Sequence, residues 1–207
     1  MKSYDDIYYL VFEIENEATL HLEAFQKSEN RDPGHVFLTL GQEPLFFNNS
    51  YKDEDLAAGI NKPLLKSHMN MNDLIIEDSI REKLKSYDIT GVQMYPSVIV
   101  DDKGVFNENY WYINIYGRLN CLDFDKCRIR RYSPSDTHHK VKEYALSSQV
   151  LDGIPEGQRL IFKPEKTDMG YVFVHEKIVK IFRDEGVKNL QFIKVSEYKS
   201  GMEFTSL

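Results

Sequence analysis

Two stretches of this chain, LIIEDSIREKLKSYDITGVQM (74–94) and VFVHEKIVKIFRDEGVKNLQF (172–192), follow one apolar pattern. Laid together without a gap they share only Ile80/Ile178 and Gln93/Gln191. Yet Leu74, Ile75, Ile76, Ile80, Leu84, Ile89, Val92 and Met94 each fall on an apolar partner: Val172, Phe173, Val174, Ile178, Phe182, Val187, Leu190 and Phe192. Each stretch reads as a short apolar strand, a helix with one apolar stripe, a break and a second strand. In the first, Ile80, Leu84 and Tyr87 recur at helical spacing; in the second, Ile178, Ile181 and Phe182 do so. Ser79 and Glu82 fit a capping box, Glu77 and Asp78 suit the positive end of the helix dipole, and Gly186 falls where a C-terminal cap belongs. A one-sided helix must bury its stripe against another layer. Two of them between apolar strands therefore demand a shared scaffold. With polar positions that disagree, the repeat is a packing recipe rather than a functional motif used twice.

The rest of the chain is rich in strand patterns. Residues 7–15, 18–25, 35–40 and 44–48 read as strands broken by Asn, Asp, Pro and Gly. Residues 49–73 read as a long polar connection holding a short helix. In VQMYPSVIV (92–100), Pro96 lacks an N–H and places this strand at an edge or a bulge. After the turn at 101–109, Trp111, Ile113, Ile115, Leu119 and Cys121 alternate with Tyr110, Tyr112, Asn114, Tyr116 and Arg118. That predicts a hairpin with one core face and one tyrosine-rich face. Further strands are expected at 127–132, 140–147 and 159–163. The expected class is α+β: mainly antiparallel sheet with two strand–helix–strand elements at about 74–94 and 172–192. Residues 1–60 would form a small β-rich part, separate from or continuous with the rest. Residues 61–196 would form the main α+β domain, and 197–207 a loose tail.

No apolar run approaches the roughly 20 residues of a membrane helix. The N-terminus carries acids where a signal peptide carries basic and apolar residues, which suits a cytoplasmic protein. Charge is uneven: residues 1–110 hold 20 acids against 10 Lys/Arg, and residues 111–207 hold 13 against 16. An acidic surface repels nucleic acid and suits a basic partner. The sequence has no Gly-rich phosphate loop, no G-x-S-x-G, no H-E-x-x-H and no Cys with an evident base. Cys121, Asp123, Asp125 and Cys127 alternate and would share a face on an unbroken strand. Zinc-binding Cys pairs usually sit two to four residues apart, so core cysteines and turn aspartates are the favoured reading. The histidines show no metal-ligand spacing. Lys126, Arg128 and Arg130 line one strand face without the aromatic platform of a single-strand binder.

From residue 63 to about 195 the order of features resembles a bacterial family of immunity proteins found with polymorphic toxins, first catalogued as a domain of unknown function. The resemblance is carried by Tyr95 and Pro96, by Tyr110 and Asn114, by Cys121 and Asp123, and by Gly186 to Phe192. Cys127 stands where the family tends to have Ser, and Asn189 where a Gly is expected. The resemblance implies a cytoplasmic, non-catalytic protein that binds and neutralises a cognate protein toxin, with no cofactor and no metal. It implies neither a membrane nor a nucleic-acid partner. A small metal-dependent hydrolase built on Asp123, Asp125 and the histidines is the contrasting reading, and a regulatory or scaffold module a third. For the partner contact, the 101–109 turn offers Asp101, Asp102, Phe106 and Glu108, a polar turn with an exposed-looking aromatic anchor.

Overall fold

A strand covered on both faces has no polar alternation to show, and residues 8–12 show none. The computed structural model describes residues 3–25, 28, 31, 33, 36–130 and 137–205. In chain order these form α1 (Tyr4–Ile7), β1 (Tyr8–Glu13), β2 (Leu22–Ala24), β3 (Leu45–Asn49), α2 (Lys52–Ala58), β4 (Ser67–Asn70), β5 (Asp73–Glu77), α3 (Asp78–Leu84) and β6 (Val92–Val100). There follow β7 (Phe106–Ile115), β8 (Arg118–Leu119), β9 (Arg128–Ile129), β10 (Val141–Glu143), α4 (Ser148–Leu151), β11 (Ile161–Pro164), β12 (Phe173–His175), α5 (Glu176–Asp184) and β13 (Leu190–Lys194). One sheet runs β13-β1-β12-β11-β8 and the other β2-β3-β6-β7-β5-β4, with β9 and β10 a separate pair. Only β3–β6 and β8–β11 are parallel among these pairings, so the fold is α+β and mainly antiparallel.

Both repeated stretches form strand–helix–strand units, and each closes around a strand from elsewhere in the chain. β7 lies between β5 and β6; β1 lies between β12 and β13. All four contacts are antiparallel. The registers coincide as well. Ile76 faces Trp111 where Val174 faces Tyr9, and Met94 faces Ile113 where Phe192 faces Val11. One offset, 98, thus relates the flanking strands, and another, 102, the central strands.

The inner faces of the two sheets share one core. Tyr9, Val11, Val172 and Val174 enter it from the first sheet, and Leu74, Ile76, Ile113 and Ile115 from the second. Ile80 and Leu84 of α3 and Ile178, Val179, Ile181 and Phe182 of α5 complete it, and the two helices touch. Each fully buried aliphatic or Phe side chain here contributes about 1.5–3 kcal/mol relative to exposure. The outer face of the first sheet packs Tyr8, Leu10, Phe12, Phe162 and Phe173 against the 121–151 segment. Tyr198 joins that layer, and its hydroxyl and that of Tyr171 both donate to Glu203.

Several expectations change. The tyrosine-rich face of β7 is a second packed face: Tyr110 and Tyr112 are buried in a third core with Tyr95, Phe47, Leu20, Leu22 and Leu38. Residues 36–40 form no strand, and of their side chains only that of Leu38 is buried. Side chains take the place of a ladder there. The Gln93 amide accepts from the Leu38 N–H at 2.9 Å and donates to its carbonyl at 2.8 Å, and Asn114 donates to the Val36 carbonyl at 2.9 Å. His35 lies outside the described residues. Residues 49–73 hold the expected helix, α2, but also β4, which pairs with β5. The capping box at Ser79 and Glu82 does not form, because α3 begins at Asp78 with Glu77 as its N-cap. Ser79 instead donates to the Glu77 carboxylate at 3.1 Å. The equivalent N-cap of α5 is His175, whose Nδ1 accepts from the Lys177 N–H at 3.1 Å. Gly186 does cap α5: its φ is +73°, its N–H reaches the Arg183 carbonyl and the Val187 N–H reaches that of Phe182, a Schellman arrangement. Pro96 sits in an interior strand, beside β7 but just ahead of the β3 pairing that starts at Ser97, with a register shift between Ser97 and Ile99.

Beyond α3, the loop at 86–90 rests directly on Gly157. A Cβ there would lie 2.1 Å from the Asp88 carbonyl oxygen, whereas one on Gly153 would meet nothing closer than 3.5 Å. Gly157→Ala should therefore cost about 1–3 kcal/mol by overpacking. Gly153→Ala should stay within about 0.5 kcal/mol of the parent. Urea unfolding of both variants checks this, and equal midpoints would contradict the contact.

Candidate functional site

The turn expected to meet a partner is exposed at its tip, but its residues have separate duties. The Asp101 carboxylate accepts from the N–H groups of Lys103 and Val105, each at 2.9 Å, and so builds the turn itself. Asp102 accepts from Asn49 Nδ2 at 3.3 Å. Asn49 also donates to Asp55 at 2.8 Å, and Lys62 pairs with Asp55 at 3.0 Å. Phe106 is 54% exposed, with an edge contact to Phe46, and Glu108 is exposed. Phe106 and Glu108 thus remain open to solvent, while Asp101 and Asp102 are committed to the fold.

The residues that suggested chemistry are spread out. Lys126 N–H and Cys127 N–H both donate to the Asp123 carbonyl, so 123–127 is a turn. Cys121, Asp123, Asp125 and Cys127 therefore share no strand face. The Asp123 carboxylate is held low by Lys126, at 2.6 Å. Burial pushes the Cys121 thiol up to about 12 and that of Cys127 up to about 11, which leaves both as protonated thiols near neutrality. His21 lies 3.5 Å from Glu15, His138 contacts Thr137, and His139 is buried against Phe124. His68 is buried, which lowers its pKa to about 4, and its Nε2 accepts from the Leu65 N–H at 3.0 Å. Lys126 and Arg128 answer Asp123 and Glu143. Among the described residues no three or more His, Cys, Asp or Glu side chains are arranged to hold a metal ion.

The residues that carry the family resemblance are structural. The Tyr95 ring is buried, with its hydroxyl among the carbonyls of Thr39, Gln42 and Glu43. Tyr110 donates to the Leu65 carbonyl at 3.0 Å. With Asn114 they hold two irregular segments onto the outer face of the second sheet.

Two clefts meet at the end of β1. The larger, of about 400 Å³, runs between residues 13–20, 63–68 and 185–189. Its wall includes Glu185, the C-cap of α5, which binds Lys66 at 2.8 Å and Lys83 of α3 and is held down to about 2 by them. The smaller, of about 300 Å³, opens between the β4–β5 turn and Phe204. Glu13 lines both. Its carboxyl accepts from the Met69 N–H at 3.3 Å, but burial dominates and pushes it up to about 7. Sequence reading passed over this region, because an acid closing an apolar strand looks like an ordinary surface residue.

A carboxyl whose folded pKa is raised costs stability as it ionises. The cost begins above the unfolded value of 4.5 and is complete above about 7. Glu13→Gln should therefore gain on the parent in urea unfolding as pH rises from 5 to 8. A difference that does not change with pH would contradict the burial of this carboxyl.

Residues 58–197 match the family model described as "Immunity protein family (Imm11)". That span contains both strand–helix–strand units. No curated protein matches the chain.

Proposed function

The chain belongs to the immunity protein family Imm11, and on that premise we propose that it is a non-catalytic immunity protein that binds a cognate bacterial toxin in the cytoplasm and neutralises it by stoichiometric contact. The family match carries this reading. The chemistry of the fold agrees with it: the cysteines are protonated and packed, the Asp123 carboxylate is paired, and His175 is used as a helix cap. No helix among the described residues is long and apolar enough to cross a membrane. A net charge of −7 favours a basic toxin surface through electrostatic steering. No cofactor is required for such a role. The open residues of the 101–109 turn, Phe106 and Glu108, are available as a peripheral contact.

Co-expression should rescue growth from the product of the neighbouring toxin gene, and the two proteins should copurify at a fixed stoichiometry. Association of the two proteins should weaken as salt rises in a binding assay, since steering between opposite charges is screened. A toxin that stays fully active at saturating amounts of this protein would overturn the proposal.

A further inference from the structure

The two most exposed large apolar side chains among the described residues, Met71 at 90% and Phe204 at 80%, line the same cleft. They lie far apart in sequence, and Met169 lines the cleft with them. Met71 opens the two-residue turn that joins β4 to β5, with φ at +54°. Glycine usually takes such a position; an unbranched L residue there is strained, and a 90% exposed methionine gains no burial in return. The turn is nevertheless held in place. Asn72 donates to the Met169 carbonyl at 2.6 Å, which ties the turn to the opposite wall. Met71 also lines the two adjoining clefts, so three depressions converge on it.

The acidic and basic residues of this cleft's lining are Glu13, Glu15, Glu203 and His21, with no Lys or Arg. Glu203 is oriented by three donors: the Tyr171 hydroxyl at 3.2 Å, the Tyr198 hydroxyl at 3.0 Å and the Gly201 N–H at 2.7 Å. A largely apolar slot of about 300 Å³ whose lining includes carboxylates has room for one long side chain with an aliphatic stem and a cationic head. A second copy of this chain would bring a second net charge of −7 against the same acids, which disfavours self-association through this face.

Building on the immunity reading, we propose that this cleft is the anchor point for the toxin. It takes one Arg or Lys side chain from a basic face of the toxin, its methylenes between Met71, Met169 and Phe204 and its charge on Glu203 and Glu15. The strain and exposure at Met71 are then met by contact in the complex. The 101–109 turn, where the acids are committed to the fold, is secondary.

Two arms test this. In the first, the chain labelled at methionine methyl groups is titrated with N-acetylarginine methylamide and, separately, with N-acetylnorvaline methylamide. The Met71 and Met169 methyls should shift saturably with the arginine probe. Binding should be roughly tenfold weaker for the apolar probe and in Glu203→Gln. No shift, or equal response to both probes, overturns the proposal. In the second arm, affinity for the catalytically inactivated neighbouring toxin is compared between variants. Met71→Gly and Phe204→Ala should each lose roughly tenfold or more, and Phe106→Ala less. Met71→Gly relieves the left-handed backbone, so its urea midpoint should not fall. Parent-like affinity in both cleft variants overturns the anchor while leaving the immunity reading intact. If the parent chain does not bind that toxin, the immunity reading fails and the probe titration decides the cleft alone. A parent dimer that Met71→Gly converts to monomer overturns the toxin as occupant in favour of a second copy.

Discussion

The contact on which this fold depends is the packing of α3 and α5 into one core between the inner faces of two sheets. Helices of seven and nine residues are too short to hold in water alone, because helix nucleation is costly and few bonds follow it. They persist here because Ile80, Leu84, Ile178 and Phe182 are buried together with the central strands that each unit encloses. Polar contacts repeat the arrangement. Arg81 of α3 lies over the Trp111 ring at 3.5 Å, and Arg183 of α5 over the Tyr9 ring at 5.9 Å; Trp111 and Tyr9 are the equivalent positions of the two central strands. Glu185 joins the units across the core boundary through Lys66 and Lys83.

The repeat itself was legible because apolar spacing reports burial, and both stretches bury the positions that the spacing marks. The strand inside each unit was not, since β1 and β7 lie outside the repeated stretches and pairing between distant segments leaves no local period. The burial of the tyrosine face of β7 leaves no local signal for a related reason. A strand that alternates Tyr and Asn with Ile looks half-exposed, yet Tyr110, Tyr112 and Asn114 are buried: Tyr110 and Asn114 donate to the carbonyls of Leu65 and Val36 on irregular segments, and the Tyr112 ring stacks on Phe47. Residues 36–40 show the converse: a strand-like pattern whose backbone is satisfied by the Gln93 and Asn114 side chains instead of a neighbouring strand. The N-caps explain why the polar positions of the two copies disagree. Glu77 and His175 occupy the same place, but His175 accepts from a backbone N–H of its helix's first turn, whereas Glu77 accepts there from the Ser79 hydroxyl.

The candidate site was less legible than the fold. Phe106 stood out in sequence as an aromatic in a polar turn, and it is exposed. Met71 and Phe204 did not stand out. Periodicity marks residues that fold against a core and is silent about apolar residues that the fold leaves outside. Their convergence is a product of tertiary structure, set by the β4–β5 turn and by the tyrosines that hold Glu203. The residues that carry the family resemblance, by contrast, turn out to maintain the scaffold on which any contact surface is displayed.

The shared core can be tested across the two units. Trp111, the only tryptophan in the chain, belongs to the first unit, and Phe182 to the second. Urea unfolding of Phe182→Ala, followed both by Trp111 fluorescence and by amide exchange of β1, is the most direct measurement. One core predicts that both probes lose the same stability, about 3–5 kcal/mol, in a single transition. A Trp111 transition that keeps its parent midpoint while β1 loosens would contradict the account.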